Sequence, residues 1–161
     1  MKRFEITEIR PFMAALFTTD LFDHFLVVEG SVTTFCRYQI DGRMCPDFFD
    51  QSAKETMAPD PFVPWRILRE RYFAIFKGKQ PPLALSLTCK LSQADTSAFL
   101  LGNASASGDT GIESLIINIR YRPDSLSVTS GVSRSGFSLD KSTELIWDDT
   151  VEEFLQTHHL C

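Results

Sequence analysis

The chain lacks the compact motifs that announce a known chemistry. It contains no G-x-G-x-x-G, G-x-S-x-G or H-E-x-x-H. That excludes the dinucleotide loop, the hydrolase nucleophile turn and the helical zinc-protease pair in their ordinary forms. Cysteine is scarce: Cys36, Cys45, Cys89 and Cys161 are all there is, and no two are spaced C-x-x-C. The spacing argues against a thiolate metal site and a disulfide framework. Cys36 and Cys89, on the apolar faces of strand-like runs, read as small buried hydrophobes. No cofactor and no metal is expected. No run approaches the roughly 18 apolar residues of a membrane span. The opening MKRFEITEIR has no apolar signal segment, so a reducing cytoplasm and no membrane association are expected. Positive charge is in deficit. A net charge of −5 argues against a nucleic-acid partner, because phosphate backbones attract lysine and arginine.

What is present is the material of a folded core. Fourteen Phe, two Trp and 43% hydrophobic residues in 161 are enough for one domain spanning residues 1–161 without covalent staples. Charge is segregated along the chain. Arg66, Arg69, Arg71, Lys77, Lys79 and Lys90 are opposed over 66–90 only by Glu70. Asp140, Glu144, Asp148, Asp149, Glu152 and Glu153 are opposed over 140–153 only by Lys141. Two solvated helix faces of opposite sign account for this, and a charged docking surface is the sharper alternative.

The strongest periodicity lies in FLVVEGSVTTFCRYQID at 25–41. Leu26, Val28, Val32, Cys36, Tyr38 and Ile40 share one parity, which predicts a half-buried strand. Because the alternation keeps its phase, the run reads as one long strand bent or bulged at Gly30 and stopped by the Asp41–Gly42 turn. A helix is expected from Glu8 to Thr18, capped by Thr7 and apolar along Ile9, Phe12, Met13 and Leu16. Residues 42–64 read as irregular, with a short helix around Asp47–Thr56. A helix from Pro64 to Lys77 presents Trp65, Leu68, Tyr72, Ile75 and Phe76 on one face. Leu83 to Leu91 alternates as a strand. Ser92-x-x-Asp95 caps a helix ending at Gly102, and 103–111 reads as a small, polar, mobile loop. Ile112–Arg122 and Ser125–Ser130 pair across Pro123–Asp124, another strand lies within Val132–Leu139, and a helix closes the chain from Asp140 to His158 with Trp147, Val151, Phe154 and Leu155 inward. The fold class is α+β, a mainly antiparallel sheet of about five or six strands with three or four amphipathic helices. The element order also suggests, as an alternative, a sliding-clamp-like domain, which would assemble into a ring.

Candidate chemistry concentrates in Asp23, His24, Asp41, Arg43 and Asp47. A histidine beside carboxylates supplies an acid/base pair, and a small hydrolase or ligand-binding enzyme would use these residues. The competing explanation is that they cap turns and form surface ion pairs. His158 and His159, adjacent on a helix, point apart and make poor joint ligands. Ser133-Arg134-Ser135-Gly136 has the small residues of a phosphate cradle but not the P-loop spacing. Phe48, Phe49 and Phe62 are apolar residues that no period explains, so they plug the core or form a partner patch. With Arg66 and Lys77 they motivate the leading expectation, a non-catalytic binding or scaffold protein with a protein partner.

Four runs carry a family resemblance: FDHFLVVEGSVTTF at 22–35, QIDGR at 39–43, FKGKQPPLALSL at 76–87, and LIINIRYRPDSLSVTSGVSRSGFSLDKSTELIWDD at 115–149. Together they resemble a family of about 160-residue proteins from anaerobic Gram-positive gut bacteria, known as a domain of unknown function. The resemblance implies a stand-alone cytoplasmic domain. It implies no activity, ligand or partner.

Overall fold

The computed structural model describes residues 1–57, 60–103 and 111–161. The elements are β1 (Arg3–Glu5), α1 (Ile9–Thr18), β2 (Leu26–Thr33), β3 (Arg37–Asp41), a 3₁₀ turn at Pro46–Phe48, α2 (Gln51–Thr56), β4 (Val63–Pro64), α3 (Trp65–Phe76), β5 (Ala84–Lys90), α4 (Gln93–Gly102), β6 (Ile112–Arg122), β7 (Ser125–Arg134) and α5 (Ser142–Thr157). The α+β class holds. The seven strands form one antiparallel sheet in the order β1-β7-β6-β5-β2-β3, with the two-residue β4 also paired to β2. Among the described residues, no helix is long and apolar enough to cross a membrane.

The long strand expected at 25–41 is a hairpin. Thr33 pairs with Arg37 and Val32 with Tyr38, so the chain turns at Thr34–Phe35–Cys36. Three residues form the loop, an odd number. Residues of equal parity therefore face the same side in both strands, and the alternation passes through the turn unbroken. Cys36 accordingly sits exposed at the tip and is not a core residue. A second departure lies inside β2, where a bulge between Val27 and Glu29 leaves Val28 without a partner on β5. The extra residue flips the phase. Val27 then joins Gly30 and Val32 on the core face, and it is fully buried where Val28 is half-exposed.

The register assigns the rest of that face: Leu85, Leu87 and Cys89 of β5, Leu115, Ile117, Ile119 and Tyr121 of β6, Leu126 and Val128 of β7, and Phe4 of β1. Phe12, Met13, Leu16 and Phe17 of α1, Trp65 and Tyr72 of α3, and Trp147, Val151 and Leu155 of α5 complete one core cluster with them. Each such side chain stabilises by about 1.5–3 kcal/mol when fully buried. The opposite face carries Ser86, Thr88, Asn118, Arg120 and Thr129, the polar pattern of an antiparallel sheet wetted on one side.

Helix ends differ from expectation in detail. The N-cap of α1 is Glu8, without a side-chain bond, rather than Thr7. Pro64 caps α3 and Trp65 opens it. The helix expected at 47–56 divides into the 3₁₀ turn and α2, which Asp50 caps by accepting from the Ala53 N–H. At α4 the Ser92 hydroxyl accepts from the Asp95 N–H, as the Ser-x-x-Asp pattern predicts. The strand expected within 132–139 is the continuation of β7 to Arg134. Of the loop expected to be mobile, residues 104–110 lie outside the described residues, as does Pro59 of the irregular stretch.

Candidate functional site

The loop between α1 and β2 is fixed from both ends. The Thr19 hydroxyl donates back to the Ala15 carbonyl at 2.7 Å, and tight turns bond Asp23 N–H to Asp20 O and Phe25 N–H to Phe22 O, both at 3.0 Å. From α3, Arg69 donates to the Asp23 carboxylate at 2.7 Å and to the Thr19 carbonyl. This pinning turns Phe22 and Phe25 into the core and leaves His24 at the edge, its ring 4.3 Å from that of Phe25.

Opposite the loop, α5 presents Trp147, Thr150, Val151, Phe154 and Leu155. The spacing of three and four places them on one helix face. The α4 helix supplies Asp95 and Phe99, one turn apart. Ile117, Val128 and Leu91 close the inner side. Together with Phe22, His24 and Phe25 these residues line a cavity of about 320 Å³. Its wall is aromatic: Phe22 meets Phe154 edge-on at 5.5 Å, and Phe99 meets Trp147 edge-on at 5.5 Å. The indole N–H of Trp147 is spent on the Ile116 carbonyl at 3.0 Å, and the Thr150 hydroxyl donates to the Ile146 carbonyl at 2.7 Å. The remaining polar groups are His24 and Asp95. Burial lowers the His24 pKa below its ordinary 6.5, against the opposing pull of the Asp95 and Asp23 carboxylates. The imidazole is therefore neutral at pH 7.

No lining residue is a serine, cysteine or lysine; the side chains that could take part in chemistry are His24, Asp95 and Thr150. Among the described residues, no group of three His, Cys, Asp or Glu side chains is placed to hold a metal ion.

The structure distributes the five residues singled out for chemistry. Asp23 is paired with Arg69, and His24 lines the apolar cavity. Asp41 lines a separate polar hollow of about 330 Å³ on the open sheet face, with Glu29, Arg37 and Gln39. Its carboxylate accepts the Arg43 N–H at 2.9 Å. The Arg43 guanidinium lies over the Phe62 ring at 5.7 Å, and Asp47 is exposed in the 3₁₀ turn. Asp41 and Arg43 adjoin only through that turn bond, and among the described residues His24 and Asp41 line different cavities.

The binding candidates also scatter. Phe48 is 86% exposed, and Phe49 is half-buried with its ring edge-on to Phe48. The Phe62 ring lies beneath both Arg43 and Lys90. Arg66 is exposed on α3. Lys77 lies by a groove of about 560 Å³ at the hairpin tip, lined by Phe35, Ile75, Phe76, Lys79 and Leu83 among others. Arg134 of the cradle-like run donates to the Asp140 carbonyl at 3.1 Å.

Asp95, Phe99 and Thr150 had no functional signal in the sequence. Asp95 read as a cap, and Phe154 as an ordinary core position. No curated protein and no solved structure matches the chain. The model of the Family of unknown function (DUF5721) matches residues 15–161, a span that holds every residue lining the cavity. The chain belongs to that family.

Proposed function

We propose that this protein is a non-catalytic binding protein that holds a small, largely apolar ligand between α4, α5 and the 19–25 loop. One observation carries the reading, the aromatic-walled cavity of about 320 Å³ with polar groups confined to a few positions. Ligand pockets have this composition and begin at about 300 Å³. An apolar cavity of about 150 Å³ already accommodates benzene, so this one has room for a ring and a short arm.

The test is binding of propylbenzene to the full chain, followed by ligand-observed NMR and by Trp147 fluorescence. Thr150→Phe fills the cavity from a partly exposed position and should abolish binding with little change in melting temperature. Unchanged binding in that variant would place the ligand elsewhere and end the reading.

A second surface supports the expectation of a protein partner. Phe35 is 92% and Leu83 63% exposed, beside Lys77 and Lys79 on the hairpin-tip groove. Apolar groups ringed by cations suit an acidic peptide carrying an aromatic or aliphatic side chain. Charge reversal at Lys77 and Lys79 should abolish binding of such a peptide in fluorescence anisotropy, and an unaltered affinity would count against the surface. Four free cysteines suit a reducing cytoplasm.

A further inference from the structure

We propose that the ligand of the aromatic cavity is an amine, a protonated amino group carried on an apolar ring or short chain. This rests on the reading of the cavity as a binding site and adds the sign of the ligand's charge. Asp95 is the one carboxylate of the lining, and the described lining residues include no lysine or arginine. Two cations of the neighbouring elements are already engaged: Arg69 of α3 with Asp23 at 2.7 Å, and Lys90 of β5 with Asp60 at 3.7 Å.

Two acceptors at this edge, on the exposed residues Asp95 and His24, have no protein partner among the described residues. One Asp95 oxygen, Oδ2, takes the Ser92 hydroxyl at 2.8 Å. Its Oδ1 has no hydrogen-bond partner among the described residues, and neither do the ring nitrogens of His24. A neutral imidazole offers one acceptor nitrogen. An ammonium has three donors, so it can bond Asp95 and His24 together.

Most of the donors that an anion would need are spent. A helix N-terminus ordinarily favours negative charge through its free amides. At α4, however, the Gln93 N–H donates to Asp60 at 3.1 Å, the Asp95 N–H to the Ser92 hydroxyl at 3.0 Å, and the Thr96 N–H to the Ser92 carbonyl at 2.9 Å. The Trp147 indole N–H is committed to Ile116. A carboxylate would thus lie against the Asp95 charge, with the single N–H of the neutral His24 ring as the side-chain donor left to it.

Three probes of similar size separate the alternatives in calorimetric titrations of the full chain at neutral pH: phenethylamine, propylbenzene and phenylacetate. Phenethylamine should bind about ten-fold tighter than propylbenzene, and phenylacetate should show no heat of binding. In Asp95→Asn the amine should bind no tighter than propylbenzene, and in Asp95→Glu part of the preference should return. If propylbenzene binds and the amine has no advantage, or the advantage survives Asp95→Asn, the amine inference is overturned and the cavity reading stands. If no probe binds, both fall.

Discussion

The hydroxyl of Tyr72 occupies the space in which a side chain at Gly30 would begin. A Cβ built there would also lie 3.0 Å from the Ser86 carbonyl and 3.1 Å from the Tyr72 ring. Tyr72 cannot retreat cheaply, because it is fully buried with its ring 5.2 Å from that of Trp65. Its hydroxyl has no hydrogen-bond partner among the described residues, and burial pushes its pKa up. Gly30→Ala should therefore cost about 1–3 kcal/mol as overpacking, read as a lower urea midpoint at unchanged slope. Tyr72→Phe removes an unsatisfied group and should be neutral or stabilising. Combined, the two substitutions should cost clearly less than Gly30→Ala alone. Simple additivity would show that the crowding lies elsewhere.

Ser130 ties β7 to α5 and to the N-terminal residue Lys2. Fully buried on β7, it donates its hydroxyl to Asp148 of α5 and accepts the Lys2 N–H at 3.0 Å. Ser130→Ala leaves the nearly buried Asp148 short of a donor, a loss worth about 1–3 kcal/mol. At about 2–4 °C of melting temperature per kcal/mol for a chain of this size, calorimetry should resolve it. Ser133→Ala, which removes only an exposed bond to Glu113, should stay within about 0.5 kcal/mol. Equal effects would mean that Ser130 is not the tie.

Thiol accessibility reports the hairpin directly. Cys36, Cys45 and Cys161 are exposed and Cys89 is buried. Burial also pushes the Cys89 thiol up, which suppresses its reactive thiolate. With Ellman's reagent, three of the four thiols should react in the native state and Cys89 only on unfolding. A protected Cys36 would restore the continuous strand that the alternation suggests and remove the turn at 34–36.

These cases show what local sequence can and cannot carry. The amphipathic faces of α1, α3 and α5 and the alternation of β5 to β7 repeat at the period of their own element, so they were legible. The hairpin was hidden because an odd loop preserves parity, and Val28 was misassigned because a bulge changes it. Asp41–Gly42 reads as a turn from glycine's freedom at positive φ, yet Gly42 is not in that region. Glycine is required there because a Cβ would collide with the Val27 carbonyl, its carbon 2.6 Å away. Candidate-site residues were legible only one at a time. Asp23 and His24 are neighbours in sequence, but Arg69 claims the first and the cavity the second. The cavity itself draws on Phe22, Asp95 and Thr150 from three distant segments, and no spacing rule connects them.

His24 gives the cavity edge a signature in acid. Its pKa in the folded chain lies below the ordinary 6.5 because burial disfavours the imidazolium, with the Asp95 and Asp23 charges opposing. Between the folded value and 6.5 the unfolded chain binds more protons, so stability must rise with pH across that window. Acidification from 6.5 should remove this contribution until the folded pKa is passed, and above 6.5 the group should add no slope. Urea midpoints between about pH 5 and pH 7.5 should therefore vary less in His24→Gln than in the parent. Removing the opposing charge with Asp95→Asn should lower the His24 pKa further and steepen the dependence. The imidazole resonances, followed by NMR, read the pKa itself. A value at or above 6.5 would mean that the ring is not sheltered against Phe25, and the neutral acceptor at the cavity edge would be lost with it.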